Sequence, residues 1–201
     1  MEKGRLEAFS DGVFAVAITL LVLSLDVAGP GHGSSLVHQL GDQWPSFAAY
    51  VVSFLVIGIV WVNHHTLLGK LARTDRTTLF LNLLLLMFVT VIPFPTHVLA
   101  EYLRTGGFDA KVAAALYGAV MEGMSIAFGL IYWWAGKHDE LLHEHVDAAA
   151  HRAGFRRFTI GAVVYLPLIA FAFVSPVLTL LAHFVVAGFY VFDRTVTTAP
   201  A

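Results

Sequence analysis

The sequence predicts an all-α integral membrane protein with six transmembrane helices, and three observations support this fold class. Hydrophobic residues make up 58% of the 201 positions, charged residues only 13%, and the mean hydropathy is +0.75. A soluble domain carries about 25% charged residues. The apolar residues also gather into long runs, and the basic residues lie between alternate runs. We therefore expect residues 1–201 to form a single membrane domain.

Six apolar runs have close to the ~20 residues that a helix needs to cross the hydrocarbon core. They are Leu6–Val27, Trp44–Leu68, Thr77–Leu103, Ala110–Ala135, Phe155–Val174 and Pro176–Phe192. A signal peptide is the alternative for the first run. However, Glu7 and Asp11 interrupt its apolar stretch, which is also longer than the usual ~7–15 residues. We expect a retained first helix.

The connections between the runs are rich in residues that end helices. Residues 28–35 form a Gly- and Ser-rich loop, 69–76 a charged turn, 105–109 a tight Gly-Gly connection and 136–154 a long polar segment. Pro93 and Pro95 predict that the outer end of the third helix is bent or re-entrant. The pair Ser175-Pro176 predicts a hairpin between the last two helices, with a single Pro-kinked helix as the alternative.

The positions of the twelve Lys and Arg residues predict the orientation. Ten of them fall on one side of the six predicted helices: Lys3, Arg5, Lys70, Arg73, Arg76, Lys137, Arg152, Arg156, Arg157 and Arg194. Only Arg104 and Lys111 fall on the other side. Because cytoplasmic loops carry an excess of positive charge, both termini are predicted to be cytoplasmic.

Composition and motifs exclude several classes of function. The net charge of -2 and the lack of a long basic tract argue against a nucleic-acid partner. The absence of cysteine excludes disulfides, zinc–thiolate sites and thiol nucleophiles. His143, Asp147 and His151 recur every four residues, but a solvated helix explains this spacing better than a metal site. No enzyme motif is visible, so we predict neither a resident metal, nor a cofactor, nor an enzymatic activity.

The first helix opens with a polar motif, in which Arg5, Phe9, Ser10 and Asp11 stand as R-x-x-x-F-S-D. Ionisable residues at the mouth of a membrane helix are expensive in lipid, and usually face a bundle interior or a water path. Asp11 lies five residues before Val16, which places it about 140° around the helix from that residue. We therefore expect Asp11 to face the second and third helices.

Four further polar residues lie at a similar depth: Asn63, His64 and His65 on the second helix and Asn82 on the third. An Asp–His–Asn network that joins the first three helices is the physical expectation. The sequence leaves open which histidine meets Asp11. It also leaves open whether the network contacts ions or only holds the helices together; the second role is the commoner one in membranes.

The residues Val16, Thr19, Leu20 and Leu23 share one face of the first helix, because they are spaced by three, four and seven residues. Such an apolar stripe more often contacts lipid or a neighbouring helix than a pore. The stripe alone therefore does not predict a channel.

The motif and its order along the chain resemble the transmembrane protein 175 family, the endosomal and lysosomal potassium channels and their prokaryotic relatives. The resemblance includes R-x-x-x-F-S-D at the start of the first helix and Trp61 with His64 or His65 near the end of the second. It continues with Asn82 in the third helix, followed by residues 93–95 as Pro-Phe-Pro. These features cover the first half of the chain; the second half is similar in hydropathy only.

The resemblance implies a potassium-permeable channel in a prokaryotic cell membrane, with the pore lined by the first helix. Because the motif occurs once, four identical chains would form the ring. The resemblance places the constriction at Val16, with Leu20 and Leu23 further out and Thr19 as a ring of hydroxyls. No carbonyl filter sequence is present, so selection for potassium over other monovalent cations would come from dehydration at apolar rings. The alternative is a proton-coupled cation transporter that uses Asp11 and the histidines as a relay.

Overall fold

The computed structural model describes residues 3–26, 35–144, 146 and 148–191. Within these ranges the chain is helical and contains no β-strand, which confirms the predicted all-α class. The helices are α1 (Lys3–Leu20), α2 (Leu36–Asp42), α3 (Trp44–Gly69), α4 (Arg76–Val91), α5 (Pro93–Thr105), α6 (Gly107–Lys137), α7 (Ala148–Phe171) and α8 (Pro176–Val191). Short 3-10 turns follow α1 at Leu21–Ser24 and α6 at Asp139–Leu141.

Five segments of the described chain are long and apolar enough to cross a membrane. They are Lys3–Ser24, Trp44–Gly69, Arg76–Thr105, Gly107–Lys137 and Gly154–Phe171. They correspond to the first five predicted helices. The sixth predicted helix corresponds to α8, whose apolar part Pro176–Gly188 is shorter than the others. Six crossings and cytoplasmic termini stay predictions from the sequence.

The helix breaks predicted from Pro and Gly are present. The third apolar segment divides at Pro93, where α4 gives way to α5. Gly106 and Gly107 have φ angles of 70° and 73°, in the region that favours glycine, and they allow the chain to turn from α5 into α6. A turn at Ser175 separates α7 from α8, so the hairpin interpretation is confirmed over a single kinked helix.

Two elements differ from the sequence prediction. The short exposed helix α2 follows the Gly- and Ser-rich loop, most of which, residues 27–34, lies outside the described residues. Its N-terminus is capped by Ser35, whose hydroxyl accepts a hydrogen bond from the His38 amide. The helix α7 begins at Ala148, seven residues before the predicted start, because the added segment is rich in alanine, which favours helix.

The long helix α6 is the centre of the bundle and packs against α4, α5, α7 and α8. Its buried side chains include Tyr117, Met121 and Phe128, which are among the largest in the core. In contrast, α1 lies at the edge and packs mainly on α3 and α4. The first helix therefore has one face in the core and one face outside it.

The connections that follow α3 and α6 are joined by main-chain hydrogen bonds, which we call the loop clasp (residues 70–73 with 141–143). The Ala72 amide donates to the Leu141 carbonyl at 2.8 Å, and the His143 amide donates to the Lys70 carbonyl at 3.1 Å. Leu141 also packs in a small apolar cluster with Leu6 of α1. The clasp thus contacts the beginning of the first helix.

Candidate channel site

A buried chain of hydrogen bonds connects the first three long helices. The imidazole Nε2 of His64 on α3 lies 2.7 Å from Asn82 Oδ1 on α4. The Asn82 Nδ2 atom donates to Ser10 Oγ on α1 at 3.0 Å, and Ser10 in turn donates to the Leu6 carbonyl at 2.8 Å. Ser10, His64 and Asn82 are all almost completely buried. This network fixes the rotation of α1 against its two neighbours.

Asp11 is not a member of this network, which corrects the expectation that an Asp–His pair forms. The side chain of Asp11 is exposed, and its Oδ1 accepts a hydrogen bond of 2.8 Å from the indole of Trp61. Ser10 occupies the position in the network that was expected for Asp11. Adjacent residues of a helix point about 100° apart, so Asp11 is directed away from Asn82. The buried stripe of α1 is Leu6, Ser10, Phe14, Ala17 and Leu21.

The other two polar residues predicted for the network point elsewhere. Asn63 donates to the Ile59 carbonyl of its own helix at 2.8 Å, and lines a small cavity between α3, α6, α7 and α8. His65 is exposed, and its ring centre lies 6.3 Å from that of Trp61. Of the two histidines, His64 is thus the one that the structure places in contact with α4.

One face of α1 is exposed along its whole length. Val16, Leu20 and Leu23 have 55%, 42% and 73% of their surface exposed, and Phe9 has 52%. Arg5 lies on the same face at the beginning of the helix. The face is directed away from α3 and α4 and has no partner within the described part of the chain. A second protein surface, lipid or the water of a pore must therefore lie against it.

The local backbone conformation determines how Thr19 and Leu23 are presented on the predicted face. The hydroxyl of Thr19 donates to the Val16 carbonyl at 2.9 Å, so its hydrogen is occupied and the oxygen lone pairs are presented outwards. Leu23 lies in the 3-10 turn, where residues three apart are eclipsed. Leu23 therefore stands directly beyond Leu20, and the face continues beyond the end of the α-helix.

Asp75 stabilises the start of α4 and links it to α6. Its carboxylate accepts hydrogen bonds from the Thr78 amide at 2.7 Å and the Thr78 hydroxyl at 2.6 Å, and from the Trp134 indole at 3.0 Å. Burial raises the pKa of the Asp75 carboxyl, but these hydrogen bonds outweigh burial and hold the pKa below its ordinary value of 3.8. The ionised form of Asp75 therefore stabilises the folded chain.

The histidine-rich segment after α6 shows no metal site in the part that the structure describes. The His151 Nε2 atom lies 2.9 Å from the Tyr132 carbonyl, so this ring nitrogen bonds a backbone oxygen. Asp147, the middle residue of the predicted spacing, lies outside the described residues. The prediction that the segment holds no metal is untested at that position.

Sequence reasoning did not identify Glu122, a carboxylate in the middle of α6 with only 9% of its surface exposed. His183, which belongs to no motif, is also buried, with its ring between Tyr117 and Tyr165. The signal for Glu122 was available, because an acid inside an apolar run of membrane length is a functional candidate by itself. No short motif surrounds it.

Comparison with known proteins gives concordant results. The family model for the endosomal/lysosomal potassium channel TMEM175 matches residues 5–93. A potassium channel of Streptomyces collinus is 51% identical over 193 residues, which cover 96% of this chain and 93% of that protein. A potassium channel of Chamaesiphon minutus is 42% identical over 193 residues, covering 94% and 93%.

Among solved structures, the fold matches the crystal structure of a lysosomal potassium-selective channel TMEM175 homolog from Chamaesiphon minutus. The TM-score is 0.86 at 38% identity, and the match covers 98% of this chain and 99% of that chain. The fold and its relatives thus define a multi-pass helical membrane protein of the channel class, which is not an enzyme class. The chain belongs to the TMEM175 channel family.

Proposed function

We propose that this chain is a potassium-permeable cation channel of the cell membrane, with a pore formed where the α1 helices of four copies meet. The observation that carries the proposal is the exposed face of α1 with Val16, Leu20 and Leu23. The opposite stripe of the same helix is buried against α3 and α4. The relatives that cover nearly the whole chain are named potassium channels, which supports the choice of ion.

A homotetramer is proposed because the family resemblance implies four copies of the polar motif of α1 around the pore, and the motif occurs once per chain. The buried stripe and the exposed face lie on opposite sides of α1, so each copy presents the same apolar surface towards a shared axis. Identical subunits that contact through different surfaces close into a ring when the rotation permits. Four such helices would leave a narrow passage along the axis.

Selectivity in this pore would depend on dehydration. Rings of Val16, Leu20 and Leu23 offer no replacement for the water around an ion, so an ion must lose part of its hydration shell to pass. This loss is smaller in free energy for potassium than for the more strongly hydrated sodium. Thr19 would present hydroxyl lone pairs beside the rings, and these favour a cation over an anion.

The network of Ser10, Asn82 and His64 would act as a support for the pore rather than as an ion path. The network fixes the orientation of α1 about its axis. If α1 turned by the angle between adjacent residues, a neighbouring side chain would replace Val16 at the pore axis. The proton-coupled transporter alternative needs proton exchange between Asp11 and a histidine. Asp11 bonds to Trp61 and His64 bonds to Asn82, so no described contact favours it.

The test is a potassium flux assay on purified protein in liposomes. Vesicles loaded with potassium are diluted into a medium with an impermeant cation, and a pH-sensitive dye reports protons drawn in by a protonophore. A channel gives dye quenching that depends on the protonophore. A coupled exchanger gives full quenching without it, and no quenching beyond that of empty vesicles contradicts the proposal.

The absence of native cysteine allows a matched test of the pore face. Val16→Cys and Val163→Cys introduce one thiol each at well-exposed positions, with 55% and 64% of the valine surface exposed. Val163 lies on α7, which packs on α6 and α8 rather than on α1. Silver ions should block potassium flux through Val16→Cys and leave Val163→Cys largely active; equal block at both positions would contradict the proposed pore face.

A further inference from the structure

A large cavity lies at the end of the bundle where α1 begins, beside the loop clasp. Its volume is about 1120 Å³, and its lining comes from the end of α6, the loops that form the clasp and the first two turns of α7. Ligand sites in proteins commonly measure ~300–1,000 Å³. The cavity therefore has room for a small molecule, and none of the described residues that line it lies on α1.

Three basic side chains from three different segments line this cavity. Arg73 belongs to the clasp, Lys137 is the last residue of α6, and Arg152 lies near the beginning of α7. All three are exposed. Within the described part of the chain neither arginine forms an ion pair, and Lys137 Nζ lies 4.3 Å from the centre of the Trp133 ring. Each guanidinium group thus keeps available the planar fork of N–H donors that matches a phosphate group.

Acidic residues do not neutralise these cations by direct contact. Glu140 and Glu144 also line the cavity, but neither carboxylate forms an ion pair within the residues that the structure describes. The basic residues therefore outnumber the acidic ones, even before His143 or His151 of the lining gains a proton. Among the described residues, no three His, Asp or Glu side chains are placed to hold a metal ion. The lining favours an anion over a metal cation.

The cavity also has an aromatic wall, which lies at the level of the membrane boundary. Tyr132, Trp133 and Phe155 contribute to the lining. Phe155 follows Gly154, where the fifth apolar segment begins, and Trp133 lies four residues before the end of the fourth. Trp and Tyr are enriched where lipid headgroups meet the hydrocarbon core. A ligand that matches this lining has an anionic group beside an apolar part.

We propose that the cavity binds the phosphate group of an anionic phospholipid, for which phosphatidylglycerol is a suitable probe. Arg73 and Arg152 would donate hydrogen bonds to the phosphate oxygens, with Lys137 as a third positive charge. The lipid chains would leave past Phe155, along the apolar part of α7. Basic pockets between membrane helices are typical sites for anionic headgroups. A free phosphate ester offers the same oxygens, but it has no apolar part to cover the aromatic wall.

The bound headgroup would contact the loop clasp directly, because Ala72 and Leu142 line the cavity. On the other side of the clasp, Leu141 packs in one apolar cluster with Leu6 of α1. A ligand would therefore strengthen the main-chain hydrogen bonds of the clasp, of which the bond from the Ala72 amide to the Leu141 carbonyl is the shortest, at 2.8 Å. Binding should slow amide hydrogen exchange in the clasp.

The test titrates the solubilised protein with phosphatidylglycerol and, separately, with phosphatidylcholine, and measures the melting midpoint at each lipid concentration. A ligand that binds only the folded chain raises the midpoint as its concentration increases. We expect phosphatidylglycerol to raise it well beyond phosphatidylcholine. Arg73→Gln and Arg152→Gln should each need about fivefold more phosphatidylglycerol for the same rise, the effect of one basic residue at an anionic lipid surface. Arg73→Lys keeps the charge and should need less than Arg73→Gln.

Arg76→Gln is the matched control, because Arg76 is exposed and lies over the Phe80 ring, outside the cavity. It removes the same charge from the same end of the bundle, and should leave the response to phosphatidylglycerol unchanged. An equal loss in Arg76→Gln and Arg73→Gln would overturn the proposal, because general surface charge would then attract the lipid. Equal midpoints in the two lipid titrations of the wild type would overturn it as well.

Two further measurements locate the ligand and identify its source. Hydrogen exchange should slow in the clasp peptides when phosphatidylglycerol replaces phosphatidylcholine, and protection confined to other segments would contradict the assigned cavity. Sodium phosphate, compared with sodium chloride at equal ionic strength, should raise the midpoint less than phosphatidylglycerol does. A rise with sodium phosphate alone would overturn the lipid in favour of a free phosphate. None of these measurements needs ion flux, so a failure of the proposed channel function would leave the lipid site standing.

Discussion

Replacement of Asn82 by alanine should strongly destabilise the protein, because Asn82 is the central residue of the network between α1, α3 and α4. The variant removes the partner of His64 Nε2, an atom on a side chain with only 1% of its surface exposed. A buried polar atom left unsatisfied costs about 1–3 kcal/mol. The loss at Ser10 should be smaller, since its hydroxyl still donates to the Leu6 carbonyl.

The hydrogen bond that Asn82 donates to Ser10 contributes about 0.6 kcal/mol, the average for polar contacts inside membranes. With the small cavity that the lost carboxamide leaves, we expect a total of about 2–4 kcal/mol. A protein of this size loses roughly 2–4 °C in melting temperature per kcal/mol, so the midpoint should fall by roughly 4–16 °C. The assay is size-exclusion chromatography of the solubilised protein after heating.

Thr90→Ala is the matched control on the same helix. Thr90 is exposed, and its hydroxyl donates only to the Met87 carbonyl one turn earlier. This variant should change the midpoint by no more than about 2 °C. Ser10→Ala should fall between the two, because it removes a single acceptor from the network. An Asn82→Ala midpoint within the range of Thr90→Ala would refute the assignment of the network as the support of α1.

Three further predictions concern the pore face, the exposed acid and the helix cap. Val16→Asn should raise conductance and reduce the preference for potassium over sodium in single-channel recordings, and an equal effect of Val163→Asn on α7 would contradict the chosen face. Asp11→Ala should lower the melting midpoint less than the Asn82 variant, because it removes one bond at an exposed site; a larger drop would show that Asp11 is buried in the assembly. The depressed pKa of Asp75 means that its stabilisation is present above about pH 3.8 and is lost as the pH falls further. A pH series of melting midpoints should therefore decline there in the wild type and flatten in Asp75→Asn, which keeps a capping side chain but cannot ionise. An unchanged pH series in that variant would contradict the role of the cap.

The helices and their breaks could be predicted because lipid leaves the backbone few choices. A chain in hydrocarbon must satisfy its hydrogen bonds internally, so apolar runs of sufficient length become helices. Breaks fall at Gly, at Pro or at polar segments, and those at Pro93, Gly106 and Ser175-Pro176 are where the sequence predicts them. The exposed helix α2 has no such constraint, and hydropathy does not reveal it.

The depth of the polar network was also predictable, but its members were not. Depth follows from residue number along a helix, and this places His64 and Asn82 at one level. The rotation of α1 about its axis depends on which side chains pack in the core. A difference of about 100° decides whether Ser10 or Asp11 faces α3 and α4. Glu122 and His183 are 61 positions apart in the sequence, so only the folded bundle brings their helices together.

The hydrogen-bonded attachment of α1 occupies a single turn, at Ser10 and Asp11, whereas the rest of the helix is held by apolar contacts. In the proposed channel we expect that turn to act as a pivot and the remainder of α1 to act as a lever arm. Val16 lies about 9 Å from the pivot and Leu23 about 20 Å. A swing of about 10° would move Val16 by roughly 1.5 Å and Leu23 by roughly 3.5 Å. In the proposed pore the same movement would therefore displace Leu23 more than twice as far as Val16, so the ring of Val16 side chains would open least.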